Sequence, residues 1–199
     1  MPYPNNITQA ILKHKFPITI TLIVTFIALI GSDANHWLRF DRAALLNGEV
    51  WRLISGHFAH LGWSHLMMNV FGLILIWVLF NNTAPDRRWV MLLVLSALGT
   101  SLLLLWLNPA LKWYVGLSGV LHAFFVFGCL NEIHSGRQSS WILLAFVIVK
   151  LIWEQIAGPL PGSEQSAGGH VIVDAHLYGA IFGLLIGLGY IYKFDKYSS

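Results

Sequence analysis

Ser118 stands between glycines in Trp113-Tyr114-Val115-Gly116-Leu117-Ser118-Gly119-Val120-Leu121-His122-Ala123, where an irregular approach enters an apolar run. A serine hydroxyl attacks a carbonyl efficiently when a base takes its proton and donors hold the developing oxyanion. Residues of those types open two other apolar runs. His65 and Asn69 lie four apart, so on a helix they share one face. His176 precedes Gly179, Gly183 and Gly187, a stripe that lets a partner helix approach closely. The pattern supplies Ser118 as nucleophile, His176 as base, and His65, Asn69 and the Ser118 backbone N–H as donors. Each residue also has a plainer account: a glycine-flanked serine packs helices together, and polar side chains in membrane helices hydrogen-bond to one another.

A metal site is the other chemistry that clustered histidines suggest. His57, His60 and His65 include no i, i+4 pair on one helix and have no cysteine or carboxylate beside them. No metal and no cofactor is expected. No carboxylate is required to orient the base, which makes the pair a Ser–His dyad, and Asp174, two residues before His176, is expected to point elsewhere as a surface residue near the mouth.

The elements that must position these groups are membrane helices. The chain is 56% hydrophobic and 11% charged, with nine Trp and a mean hydropathy of +0.66, a composition of polytopic membrane proteins. Apolar runs predict six transmembrane helices in one domain covering 1–199, at about 16–31, 64–81, 89–107, 117–132, 139–157 and 175–192. The basic residues set the orientation. With the N-terminus inside, Lys13, Lys15, Arg87, Arg88, Arg137, Lys193 and Lys196 are cytoplasmic, seven of the twelve. Both termini are therefore expected in the cytoplasm. The pI of about 9.1 does not imply nucleic acid, because the basic residues form no run. A signal-peptide reading of the first run competes with the span reading. Cys129 is the only cysteine, so no intramolecular disulfide forms.

Spans two, four and six run in the same direction, so His65 with Asn69, Ser118 and His176 all lie near outer ends. From Ser118 to Asn131 is only ~21 Å of helix, which places Ser118 below the outer interface. Residues 109–115 must dip in to meet it, and irregular backbone at that depth lines a wet cavity or is buried in protein. Residues 32–62, rich in tryptophan and charge, suit the interface or an ordinary outer loop. Lys150 and Glu154, four apart, are expected to pair with each other, or to line the pit. Residues 158–169, rich in Gly, Pro and Ser, read as a mobile outer loop.

Taken in order, Trp51-Arg52, His60 with His65 and Asn69, Gly116-Leu117-Ser118-Gly119, and Ala175-His176 followed by Gly179 and Gly183 resemble the rhomboid family of intramembrane serine proteases. The resemblance covers essentially all six spans. It implies an all-α six-helix bundle, Ser118 as nucleophile, His176 as general base, and His65 and Asn69 supporting the oxyanion. Gly116, Leu117 and His122 join the supporting set, with His60 a further candidate. It also implies that a helical substrate partly unwinds to reach Ser118. Many rhomboids carry a tyrosine where His122 stands. The run Gly-Leu-Ser-Gly-Val-Leu-His is similar to the rhombosortase branch of bacterial rhomboids. That branch is linked to membrane-anchored substrates whose C-terminal tail has a Gly-Gly motif, a transmembrane helix and a basic end. The resemblance thus implies an inner-membrane protease opening outward, with lipid and such substrates as partners.

Two other classes compete. An inactive rhomboid-like protein that binds membrane helices need not keep both Ser118 and His176. A histidine-lined transporter needs polar residues continuing inward, and the inner halves of spans two, four and six are apolar apart from Asn131 and Glu132.

Overall fold

A computed structural model describes residues 14–198, with side chains through Lys193. Lys13 and the side chain of Lys196, two of the orientation markers, lie outside what is described. The described residues form ten helices and one two-residue strand pair. In chain order they are α1 (Lys15–Ile30), α2 (Ser32–Leu38), β1 (Phe40–Asp41), α3 (Arg42–Leu46), α4 (Arg52–Ser55), α5 (Trp63–Phe80), α6 (Asp86–Leu107), β2 (Trp113–Tyr114), α7 (Ser118–His134), α8 (Ser140–Ala157), α9 (Ser163–Ala167) and α10 (Val173–Ser198).

By length and composition, four helices suffice to cross a membrane: α5, α6, α8 and α10. A fifth span results if α1 and α2 count together, although the chain bends by 118° between them. The bend falls at Gly31, whose φ of 94° most side chains avoid. Length alone therefore gives four or five spans where the sequence predicts six. α7 misses that length at 17 residues, yet it is the centre of the bundle. α5, α6, α8 and α10 all pack on it, and it buries Val120, Ala123, Phe124, Phe127 and Cys129. The lipid-side faces of the other helices are apolar in turn, with Phe26, Phe71, Val78, Val149 and Ile156 exposed. A bundle that is hydrophobic inside and out has bilayer as its solvent.

α7 and α10 meet backbone to backbone. A Cβ placed on Gly179 runs into the carbonyl oxygen of Gly119, and one on Gly183 into that of Ala123. Only glycine permits this approach, and it brings the start of α10 against the start of α7.

The first long connection is a folded cap. Phe40 pairs with Tyr114 and Asp41 with Trp113, antiparallel. The Arg42 guanidinium donates to the carbonyls of Leu104, Leu105, Asn108 and Leu111 at 2.8–2.9 Å, satisfying the end of α6. Arg52 is buried; it pairs with Glu49 at 2.6 Å and donates to the carbonyls of His36 and Arg39. The segment read as a mobile loop contains α9, bounded by Gly162 and Gly168 at φ of 79° and 76°. Ser64 at the start of α5 donates to the carbonyl of Ser166.

Candidate active site

Ser118 is the first residue of α7. The chain reaches it through β2 and Gly116, whose φ is +124°. The Gly116 N–H donates to the Gly56 carbonyl at 3.1 Å, and the buried Tyr114 hydroxyl donates to the Gly116 carbonyl at 2.6 Å. The irregular approach is thus held by the first connection on one side and by its own tyrosine on the other.

His176 lies in the first turn of α10, and the Gly119–Gly179 contact sets its distance from α7. Its Nε2 is 3.0 Å from Ser118 Oγ. Its Nδ1 faces both carboxylate oxygens of Glu154 on α8, at 3.0 and 3.1 Å. A carboxylate therefore stands at His176, where the sequence reading required none. Asp174 does point elsewhere, accepting from Asn108 Nδ2 at 2.5 Å, and the attending group comes from another helix.

Lys150 pairs with Glu154 at 2.7 Å, as four-residue spacing favours. Its ammonium also lies 2.9 Å from His122 Nε2 and 3.3 Å from His176 Nδ1. His122 uses its other nitrogen, Nδ1, on the Ser118 carbonyl at 2.7 Å. The His122 and His176 rings stack with centroids 4.3 Å apart. Ligand atoms of His122, Glu154 and His176 lie within 4.8 Å of one another, the spacing of a cation site. The Lys150 ammonium stands among those same three groups.

One proton arrangement satisfies every contact except the 3.3 Å approach of Lys150 to His176 Nδ1, where two donors meet. His122 Nδ1–H donates to the Ser118 carbonyl, leaving Nε2 to accept from Lys150. Lys150 and His176 Nδ1–H both donate to Glu154, leaving His176 Nε2 to accept from Ser118 Oγ–H.

On the other side of Ser118, His65 Nδ1 accepts the Leu61 N–H at 3.3 Å. That places its remaining proton on Nε2, and Nε2 lies beside Gly116, where an added Cβ would be 2.9 Å away. Asn69 spends one amide hydrogen on the His65 carbonyl at 2.9 Å, and a second remains. Both residues line the cavity described below. Leu117 is buried at 1% exposure, its carbonyl bonded to the Leu121 N–H, so its side chain packs. His60 does not reach Ser118. Its Nδ1–H donates to the Phe58 carbonyl at 3.2 Å, and its ring meets the His65 ring edge to face at 5.1 Å. His57 packs against α6, at the Ala97 carbonyl and Ser101 Oγ, with its ring edge to face with Tyr114 at 5.3 Å. Of the three histidines weighed as metal ligands, His60 and His65 face each other and His57 turns to α6.

Ser118, His176, His65 and Asn69 share a cavity of about 400 Å³. One wall is α5 with Met68, Gly72 and Leu75; the opposite wall is α8 with Phe146, Val147 and Lys150. Leu160, Ser163 and Ala167 close it at the α9 side. Sequence reasoning missed Tyr114; it had Lys150 and Glu154 as a pair or as lining of the pit, and both line the cavity, but it did not tie Glu154 to His176. The spacing of Lys150 and Glu154 signalled pairing, and nothing in it signalled a third partner on α10.

A family model described as Rhomboid domain matches residues 47–193. RHOMBOID-like protein 5 of Arabidopsis thaliana is 30% identical over 155 residues, covering 74% of this chain and 46% of that protein. The chain spans about half the length of this curated relative.

Proposed function

Because the chain belongs to the rhomboid family, we propose that it is an intramembrane serine endopeptidase with Ser118 as nucleophile and His176 as general base. The observation that carries this reading is the 3.0 Å contact between Ser118 Oγ and His176 Nε2 on the wall of a cavity between membrane helices. Ser118 Oγ bonds to the scissile carbonyl carbon as its proton passes to His176 Nε2. His65 Nε2–H, the second amide hydrogen of Asn69 and the N–H groups that open α7 are the donors for the oxyanion. Collapse breaks the C–N bond, with the proton returned from His176 to the leaving amine. Water then hydrolyses the ester by the same route.

The substrate reading follows from the cavity walls and from the run around His122. The walls are apolar helices with the reactive groups at one end, which suits a membrane-anchored segment whose cleavage site unwinds there. The preferred class is a C-terminal tail with a Gly-Gly motif, a transmembrane helix and a basic end. Glycines bring no side chain to the reacting bond, and they leave a helix at little cost. In this reading α1 and α7 also span, giving six transmembrane helices in one domain. α7 is short because Ser118 lies beneath the outer surface of a bacterial inner membrane, with both termini cytoplasmic.

The test is labelling with a serine-reactive fluorophosphonate, followed by cleavage of a tail-bearing reporter. Wild type labels and cuts, whereas Ser118→Ala and His176→Ala do neither while folding normally. A folded wild type that neither labels nor cuts in bilayers makes the chain a rhomboid-like protein that binds membrane helices.

A further inference from the structure

Glu154 is a carboxylate at 3% exposure in the outer half of a membrane helix. Such a group is costly unless its charge is paired and its oxygens are bonded. Lys150 alone answers the pairing, at 2.7 Å. It does not explain why both oxygens also face His176 Nδ1 when the other nitrogen of that ring faces Ser118 Oγ. Nor does it explain why the ammonium also reaches His122, whose Nδ1 is bonded to the carbonyl of Ser118 itself.

We infer that Glu154 is a positioning residue for the base, so that Ser118, His176 and Glu154 form one hydrogen-bonded line along which the serine proton moves no farther than His176. Lys150 and His122 brace that line back to the Ser118 carbonyl. The inference rests on the serine-protease reading. A carboxylate at Nδ1–H fixes the imidazole in the tautomer whose Nε2 lone pair faces Ser118. It also stabilises the imidazolium that forms when the serine proton arrives, in a site where charges are weakly screened.

Lys150 has the second role. At rest its charge neutralises Glu154, so the buried cluster carries no net charge. When His176 gains its proton the cluster becomes cationic, and the oxyanion on the His65 side balances it. Without Glu154 the same ammonium opposes the imidazolium, because it lies 3.3 Å from His176 Nδ1. Lys150 thus helps only in the company of Glu154, and this dependence separates the assignment from an ordinary structural ion pair.

The experiment uses the full chain in bilayer nanodiscs. The rate of fluorophosphonate labelling is measured alongside kcat and KM on the tail-bearing reporter. In labelling, the Ser118 Oγ–P bond forms and the P–F bond breaks. Fluoride leaves with the electron pair, and the serine proton passes through His176 to water. Glu154→Gln is expected to label and turn over about 10²–10⁴-fold more slowly at unchanged KM, as when other serine hydrolases lose this carboxylate. Glu154→Asp recovers at least about tenfold of that loss. The double variant Lys150→Met with Glu154→Gln labels faster than Glu154→Gln alone. Labelling of Glu154→Gln within about threefold of wild type overturns the assignment, and so does a double variant slower than the single one. If Glu154→Gln fails to fold, Glu154→Asp decides, with a lower kcat at unchanged KM supporting the role and a wild-type kcat overturning it. A wild type that never labels overturns the protease reading and this role together; a labelled wild type with an unaffected Glu154→Gln overturns the role alone.

Discussion

The imidazole rings of His122 and His176 lie nearly parallel, 18° apart in plane with centroids separated by 4.3 Å. His122 therefore walls one face of the base while its two nitrogens tie Lys150 to the Ser118 carbonyl. An aromatic pair of this kind contributes about 0.5–1.5 kcal/mol beyond its buried area. His122→Ala is expected to slow reporter turnover roughly three- to tenfold. His122→Phe, which keeps the stack and loses the polar contacts, retains more activity than the alanine variant. Reporter kinetics at matched folding check the order; an alanine variant equal to the phenylalanine one removes the stack as the operative contact.

Gly116 combines a φ of +124° with a Cα pressed against the His65 ring, where a methyl group would meet Cε1 at 2.7 Å. Gly116→Ala is strained on both counts, by roughly 1–3 kcal/mol for the backbone alone. The cheapest relief is movement of His65 away from Ser118. The expected result is a melting temperature a few degrees lower and a fall in turnover larger than that destabilisation explains, measured by calorimetry and reporter cleavage.

The two side-chain donors are predicted to matter in the chemical step. His65→Ala and Asn69→Ala each remove one candidate oxyanion donor, a change that typically costs ~10²–10³ in kcat. KM for the reporter stays near its wild-type value, because the oxyanion exists only along the reaction path. Equal effects on kcat and on reporter binding would argue instead for a role in shaping the cavity.

Acid sensitivity is expected from the histidines of the first connection. Burial pushes His57 down to about 4; burial, and next the neighbouring His65, push His60 down to about 3. Both stay neutral in the folded chain at pH values where an unfolded histidine, with its ordinary value of 6.5, takes a proton. The unfolded state then binds more protons, so stability is whole above pH ~6.5 and declines as the pH falls towards 4 and then 3. The slope is at most about 1.4 kcal/mol per pH unit for each group. Melting temperatures between pH 7.5 and pH 4.5 report it, and His60→Gln makes the decline shallower.

Met68 lies on the α5 wall of the cavity, 44% exposed. Met68→Trp narrows the space between α5 and α8 without touching Ser118 or His176. A small fluorophosphonate labels this variant at the wild-type rate, while KM for a membrane-anchored reporter rises severalfold. Parallel losses in both assays would mean that the tryptophan disturbs the reactive groups themselves.

Much of this arrangement was legible in the sequence where periodicity carries the information. The helices of the bundle announced themselves as apolar runs, and the four-residue spacing of His65 and Asn69 put both on one face. The glycines of α10 signalled a close neighbour, and the structure makes that neighbour α7. What stayed hidden depends on the rotation of one helix against another, on which local spacing is silent. Lys150 and Glu154 pair as their spacing suggests, but their reach to His122 and His176 is set by how α8 leans on α7 and α10. β1 and β2 are two residues each, too short to show an alternating pattern. α9 is a single turn amid glycines, a composition that reads as loop. The span count fell short because Lys15–Ile30 and Ser118–His134 have 16 and 17 residues, below the length that marks a crossing helix.

The pairing of Phe40 with Tyr114 imposes an order on biosynthesis. Roughly seventy residues separate the two strands, several seconds of translation at about 5–20 residues per second. Throughout that interval the first connection has emerged with its strand edge unmatched, and Arg42 waits for the carbonyls at the end of α6. The segment carrying Ser118 is thus delivered to a platform made earlier. Its geometry comes into being only when the nascent chain folds back across the four helices α3 to α6, and a product stalled soon after Ser118 carries the serine on that platform without Glu154 and His176, which are made later.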